Sequence, residues 1–256
     1  ALMLIPFLWM LSTAVKPTNQ IFLNPPKWIP DPIKWENFTT IFKRMPLFAY
    51  TKNTLVVAIL PVLGQIFAAP MIAYSLTKIP WKGAKYIFPL ILATMMIPWQ
   101  VTQIPLFITW SKLGLVNTFV PLVLPAFFGT PYYIYLMRQF VKGLPDSVIE
   151  AARIDGAGPW RFFVDVVLPL SRTNTAALFV VLFIYGWNQY LWPLLVTTSE
   201  DMYPIVIGIK RMIGGGDSAN EWNLIMGTAM LAMIPPAIVV TVMQRWFVKG
   251  LVDTEK

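Results

Sequence analysis

The sequence predicts an all-α membrane protein with six transmembrane helices, the first of them truncated, and three observations carry that prediction. Hydrophobic residues make up 57% of the 256-residue chain and charged residues only 12%. A soluble domain carries about 25% charged residues, so this chain has too few to cover a water-facing surface. Five stretches reach the ~20 residues that cross hydrocarbon as helix, and none of them holds an Asp, Glu, Lys or Arg. Lipid offers no water to pair exposed backbone groups, so such stretches form helices and not open strands.

The elements follow in order. The chain opens inside an apolar segment, ALMLIPFLWMLSTAV, with no basic flank and no small-residue cleavage site. That reads as a truncated first span, not a signal peptide, with residues upstream of Ala1 expected to be missing. The interval Lys16 to Thr51 is Pro-rich, and its PDPIKWENFTTIF piece fits an amphipathic helix in the headgroup plane. The five full spans run Leu55 to Leu76, Tyr86 to Ser111, Leu113 to Met137, Thr173 to Ser199 and Trp222 to Gln244. The second and third are parted by few polar residues, between Ser111 and Asn117. Thr77 to Lys85 is a short basic connection, and the tail Arg245 to Lys256 returns to the same face as the long interval after Met137. Prolines inside the spans, among them Pro61, Pro70, Pro98, Pro193 and the Pro235-Pro236 pair, each remove a backbone hydrogen bond and favour kinks. The whole chain, 1–256, reads as a single transmembrane domain.

Composition also removes function classes. The chain has no Cys and no His, which excludes disulfides, Cys-based metal sites and the usual general base. No carboxylate pair lies in a span, so an embedded enzyme has little to act as base or nucleophile. A secondary transporter coupled to protons or sodium usually needs intramembrane acids, and the five spans have none. Composition alone leaves a passive channel open. The net charge of +8 is spread over inter-span loops, which suits anionic lipid headgroups better than nucleic acid. No G-x-x-x-x-G-K-[ST] loop occurs, so the chain cannot hydrolyse ATP in the usual way.

The most informative stretch lies between two spans: Glu150-Ala151-Ala152, then Gly156, then Leu168-Pro169. Read as EAA-x3-G-x9-V-x-LP, its fixed positions would coincide by chance roughly once in ten million starts at average residue frequencies. Leu144-Pro145-Asp146 opens a helix, since Pro is tolerated in the first turn and an acid there suits the dipole. Ser147 to Asp155 continues it, Gly156-Ala157-Gly158 bends the chain, and Pro159 starts a second short helix with Trp160, Arg161, Phe162 and Phe163. Exposed aromatics on such a loop call for a partner surface. Lys78, Lys82, Lys85, Arg138 and Lys142 flank this face through short connections, which favours it as cytoplasmic.

This motif resembles the EAA signature of permease subunits of binding-protein-dependent ABC importers, with Val166 where the family prefers Ile. YGWNQYLWPLL at Tyr185 to Leu195, and GLVDTEK at the end, are similar to the branch of that family that imports sn-glycerol-3-phosphate. Related sugar permeases of the maltose type share much of the same framework. The resemblance implies that the loop is a coupling helix seated in a cleft of an ATPase subunit. Glu150 would be its polar anchor, Ala151 and Ala152 would allow close approach, Asp155 would lie at the bend made by Gly156, and Leu168-Pro169 would return the chain to the fifth span. It further implies a bacterial inner-membrane location, a second permease subunit in a heterodimer, two ATP-binding subunits holding ATP and Mg, and an external or periplasmic substrate-binding protein. No cofactor is expected in this chain.

Polar and aromatic residues within the spans mark a candidate substrate path: Gln100, Gln103, Tyr132, Trp187, Asn188, Gln189, Tyr190 and Trp192. Amides are costly in lipid and face other helices or a wet cavity. Amides beside aromatic rings suit a hydroxylated substrate, although such amides also serve simply to tie helices together. No span supplies a cation for a phosphate group. In the opposite-face interval SEDMYPIVIGIKRMIGGGDSANE, Lys210 and Arg211 precede a glycine tip at Gly214, Gly215 and Gly216. The resemblance implies that this loop reaches a binding protein.

Overall fold

The computed structural model describes residues 2–214 and 220–252, with side chains to residue 246. All regular elements among the described residues are helices. They are α1 (Ile5–Ala14), α2 (Glu36–Arg44), α3 (Leu47–Lys78), α4 (Ala84–Thr94), α5 (Trp99–Lys112), α6 (Val120–Phe127), α7 (Pro131–Lys142), α8 (Asp146–Ile154), α9 (Pro159–Phe162), α10 (Leu168–Trp187), α11 (Leu191–Val196), α12 (Ile205–Arg211) and α13 (Trp222–Val252).

Four helical stretches are long and apolar enough to cross a membrane: Leu47–Lys78, Val120–Lys142, Pro159–Trp187 and Trp222–Trp246. The α4–α5 pair makes a fifth if counted as one span. Within these four spans only 22–44% of the most apolar window is buried inside the chain. The remaining apolar surface needs lipid or other subunits against it.

Three spans differ from the sequence expectation. Tyr86 to Ser111 is not one helix: α4 and α5 meet at a 98° bend. Pro98 explains the break, because it lacks an N–H and disfavours helical backbone at Ile97. The stretch from Leu113 becomes helical only at Val120, because Gly114 and Asn117 take left-handed φ values of 68° and 63°. The helix expected over Thr173 to Ser199 starts upstream and stops at Trp187. Its continuation, α11, is a separate helix after Asn188–Tyr190, and Pro193 cannot donate back to Gln189. By contrast α3 and α13 run unbroken through Pro61, Pro70 and Pro235-Pro236.

The described chain forms two compact units, Ala1–Val56 with Asn188–Ile238, and Val57–Trp187 with Val239–Lys256. In the first, α2 covers part of the expected interfacial piece and lays Ile41 against Gly227 of α13, where an added Cβ would come within 2.8 Å of the Ile41 side chain. Polar ties fix the connections. Asn37 Nδ2 donates to the carbonyls of Ala14 and Lys16 at 2.9 and 3.0 Å. Asn53 Nδ2 donates to those of Asp201 and Tyr203, at 2.6 and 3.2 Å. The Ile205 N–H donates to Thr54 Oγ1 at 2.8 Å. Arg44 pairs with Glu221.

In the second unit the core gathers Ala69, Ala73 and Tyr74 of α3 with Tyr133, Ile134, Met137 and Val141 of α7. Phe162, Phe163 and Val167 close it from the start of the Pro159–Trp187 helix. Close approaches use glycine: Gly64 lies under Phe127, and Gly186 lies on Ala58. Gln65 Oε1 accepts from the Thr130 hydroxyl at 3.0 Å, so one buried amide ties α3 to the break before α7.

Candidate functional site

Every residue of the EAA loop is described and lies in the second unit, where it forms the expected elbow. Pro145 precedes α8, Asp146 lies in its first turn and Arg153 in its last, so both charges complement the helix dipole. The helix ends in a Schellman turn. The Ala157 N–H donates to the Ala152 carbonyl at 2.9 Å, and the Gly156 N–H donates to that of Arg153 at 3.0 Å. Such a turn needs a left-handed residue, and Gly156 supplies it at φ 73°. An added Cβ there would meet nothing within 4 Å, so the requirement is conformational and not one of space.

Pro159 then opens α9. Its inner face is anchored: Phe162 and Phe163 are buried and their rings lie 5.6 and 6.1 Å from that of Tyr74. Its outer face is not. Trp160 is 66% exposed and Ile154 at the end of α8 is 87% exposed. Glu150 is exposed on the same elbow, Ala151 is exposed, Ala152 is half-buried and Asp155 is exposed. Leu168 and Pro169 begin α10 inside the apolar stretch Pro159–Trp187, and no loop precedes them. A π-helical turn over Phe163–Val167 leads straight into α10, and it lies next to Pro169, whose missing N–H leaves the Asp165 carbonyl without its helical donor.

Sequence reasoning missed the brace beneath this elbow. Lys78, the last residue of α3, donates from Nζ to the Leu144 carbonyl at 3.0 Å and to Asp146 Oδ1 at 3.0 Å. The Lys78 side chain is only 11% exposed, so this cation is built in and not a surface ornament. A small cavity of about 100 Å³ sits beside it, lined in part by Tyr74, Ile149, Ala152 and Phe162. The brace links α8 to the end of a 32-residue helix. Replacing Lys78 by Met is expected to loosen the elbow by about 1–2 kcal/mol, the Asp146 half being discounted because that carboxylate is exposed. Faster amide exchange over α8 with unchanged exchange in α10 is the expected readout; uniform exchange would contradict the brace.

The candidate path residues divide between the units. Gln100, Gln103, Tyr132 and Trp187 lie in the second, and Asn188, Gln189, Tyr190 and Trp192 in the first. Gln103 is buried in α5 while Gln100, one turn earlier, is exposed. Tyr132 is 52% exposed, whereas its neighbour Tyr133 is fully buried. Trp187 is buried, its ring centroid 5.6 Å from that of Phe183. Asn188 is exposed, Gln189 and Tyr190 are half-buried, and Trp192 is buried. The expectation that this run sits inside an unbroken span is corrected: Asn188, Gln189 and Tyr190 form the helix break itself. Broken helices at membrane depth expose backbone groups, and these are tolerated where protein or a wet cavity lines them.

On the glycine-tip interval, Lys210 and Arg211 belong to α12, a helix anchored by buried Ile205 and Ile207. Arg211 pairs with Glu200 at 2.9 Å and lies 5.1 Å from the Tyr203 ring. Lys210 is exposed. The Gly214 N–H donates to Asn220 Oδ1 at 2.9 Å, and Gly215 and Gly216 lie outside the described residues. Next to α1, the fully buried Lys16 rests its ammonium 3.8 Å from the Trp9 ring, and burial pushes it below the ordinary lysine range. No sequence signal marked it as buried.

Residues 65–253 match the family described as binding-protein-dependent transport system inner membrane component. The chain belongs to this family. It is therefore a transport permease of the bacterial inner membrane, not an enzyme. The permease is 47% identical over 204 residues to the sn-glycerol-3-phosphate transport system permease protein UgpE of Brucella melitensis, covering 80% of this chain and 72% of that one. It is 41% identical over 261 residues to the protein of the same name from Yersinia pestis, covering 100% of this chain and 92% of that one. Its fold is similar to a bacterial ABC transporter involved in the import of the acidic polysaccharide alginate. There the TM-score is 0.84 at 22% identity, over 96% of this chain and 91% of the other. The alginate ABC transporter in complex with a pentasaccharide-bound periplasmic protein aligns at TM-score 0.66 and 18% identity, over 94% of this chain and 91% of the other.

Proposed function

We propose that this permease is one half of a heterodimeric, ATP-driven importer of sn-glycerol-3-phosphate or glycerophosphodiesters. The observation that carries the substrate is the identity, 41% over the full chain, to a permease named for that compound. In this reading the chain, 1–256, acts as one transmembrane domain with six spans, α1 contributing the first and the bent α4–α5 pair another. The elbow of α8 and α9 faces the cytoplasm. Its exposed Glu150, Ile154 and Trp160 dock on one of two ATP-binding subunits, which hold ATP and Mg. This chain needs no cofactor of its own.

ATP-driven closure of those subunits pushes the elbow, and the Lys78 brace passes the movement to α3. Substrate released by a periplasmic binding protein passes the helix break at Asn188, with the half-buried Gln189 amide available to its hydroxyls. The α12 turn with Lys210 approaches the binding protein. The phosphate is recognised chiefly by that protein, since the apolar stretches 55–76, 86–111, 113–137, 173–199 and 222–244 carry no cation and the lysines and arginines of the spans lie outside them.

Uptake of labelled sn-glycerol-3-phosphate by cells carrying the complete complex tests the substrate. Competition by unlabelled glycerophosphodiester but not by maltose-type sugars is expected, and competition by sugars alone would overturn the assignment.

A further inference from the structure

The turn between α3 and α4 carries a built groove that the transport reading does not use. It is open, about 620 Å³, and lined among others by Trp81, Lys82, Lys85 and Tyr86. Its aromatic wall is held in place. The Trp81 indole N–H donates to the Ser75 carbonyl at 3.0 Å. The ring also packs on Gly83, where an added Cβ would lie 2.1 Å from it. Lys85 Nζ lies 4.8 Å from the Tyr86 ring centroid. Lys78 is spent on the elbow, which leaves Lys82 and Lys85, both exposed, as the lysines facing this groove.

A further cation stands at the same end of the neighbouring helix. The Arg138 guanidinium of α7 lies 3.8 Å from the ring of Phe88 on α4, which stacks on Tyr135. Its buried Nε has no hydrogen-bond partner among the described residues. Lys85 and Phe88 are three apart on α4 and so share a face, which brings Lys85 and Arg138 to one end of the α4–α7 pair. Beyond the groove, Tyr86 and Leu90 are 67% and 62% exposed on one strip of an otherwise apolar helix.

A phosphate anion satisfies the cations, but the adjoining strip asks for an apolar tail as well. A free phosphate ester has none. We propose that this groove binds the headgroup of an anionic phospholipid, its phosphate beside Lys82 and Lys85 and an acyl chain along Tyr86 and Leu90. Aromatic side chains at headgroup level and clustered lysines at the membrane surface are the expected hardware for this. The lipid would pin the α3–α4 turn to the membrane surface. The inference rests only on membrane placement, so it can fail while the transport reading stands, and the reverse.

The test uses the assembled complex, purified and exchanged into nanodiscs of phosphatidylglycerol and phosphatidylcholine, with retained lipids counted by native mass spectrometry. Phosphatidylglycerol should be retained in preference to phosphatidylcholine. The double variant Lys82→Gln/Lys85→Gln should lose a phosphatidylglycerol per copy of this chain, while Lys82→Arg/Lys85→Arg keeps it and Lys112→Gln, on another helix, changes nothing. Added sn-glycerol-3-phosphate should not displace the lipid. An unchanged count in the Gln variant, or equal retention of phosphatidylcholine, would overturn the proposal. Displacement by the soluble ester would also overturn it, by assigning the groove to free phosphate esters.

Discussion

Glu150→Lys is expected to leave the permease inserted in the inner membrane while ATP-driven uptake falls roughly tenfold or more, equivalent to at least about 1.4 kcal/mol of lost coupling. The reason is where the side chain points its charge. Glu150 is exposed on α8 and makes no ion pair with the described residues. Reversing it therefore removes nothing that the fold uses. The elbow around it stays in place through interactions that do not involve Glu150: the Schellman turn at Gly156, the buried pair Phe162 and Phe163, and the Lys78 brace. A large loss of uptake with normal membrane abundance would thus report on the surface that receives the elbow. Immunoblots of membrane fractions alongside uptake rates separate the two, and uptake at the native rate would remove Glu150 from the docking surface.

The largest structural effect is expected at Gly64→Val. A Cβ at that position would lie 2.3 Å from the Phe127 carbonyl oxygen and 2.5 Å from the ring. The ring can rotate, but the carbonyl belongs to the backbone at the end of α6. Either α3 and α6 separate or the helix end unwinds. Next to it, Gln65 holds Thr130 at 3.0 Å, so separation also strands a buried amide. Overpacking costs about 1–3 kcal/mol, and a backbone clash beside a buried polar tie belongs at the upper end. The yield of assembled complex should drop and its thermal midpoint fall by several degrees. Native yield and midpoint would mean that the α3–α6 approach is looser than the geometry requires.

How much of this was legible beforehand depended on the range of the cause. The α8–α9 elbow was readable because its determinants are local: Pro145-Asp146 at the start, a glycine at 156 where the backbone must turn left-handed, and Pro159 to begin again. α3 and α13 were readable because long apolar runs without charges leave few other options. The 98° bend between α4 and α5 was not read, because hydropathy is blind to chain direction and Met95, Met96 and Ile97 are as apolar as the helices they part. Pro98 was the available signal, one proline among several that other helices absorb without breaking. Asn188–Tyr190 stands out in the sequence as a polar run, yet the helix stop needed the added effect of Pro193. The Lys78 brace joins residues 66 and 68 positions apart, and no local pattern encodes a partner at that distance. The buried Lys16 and the pairing of Gly64 with Phe127 were hidden for the same reason.

The proposed function requires the outer face of the elbow to meet an ATP-hydrolysing partner, and the composition offers a direct way to test it. The chain has no cysteine, so Glu150→Cys places a single thiol on the permease at the proposed contact. A short thiol-to-amine crosslinker applied to membranes containing the complete complex should yield one dominant adduct, which mass spectrometry identifies as the subunit bearing the phosphate-binding loop. If the complex assembles in membranes and gives no such adduct from this position, the elbow is not the seat of the motor.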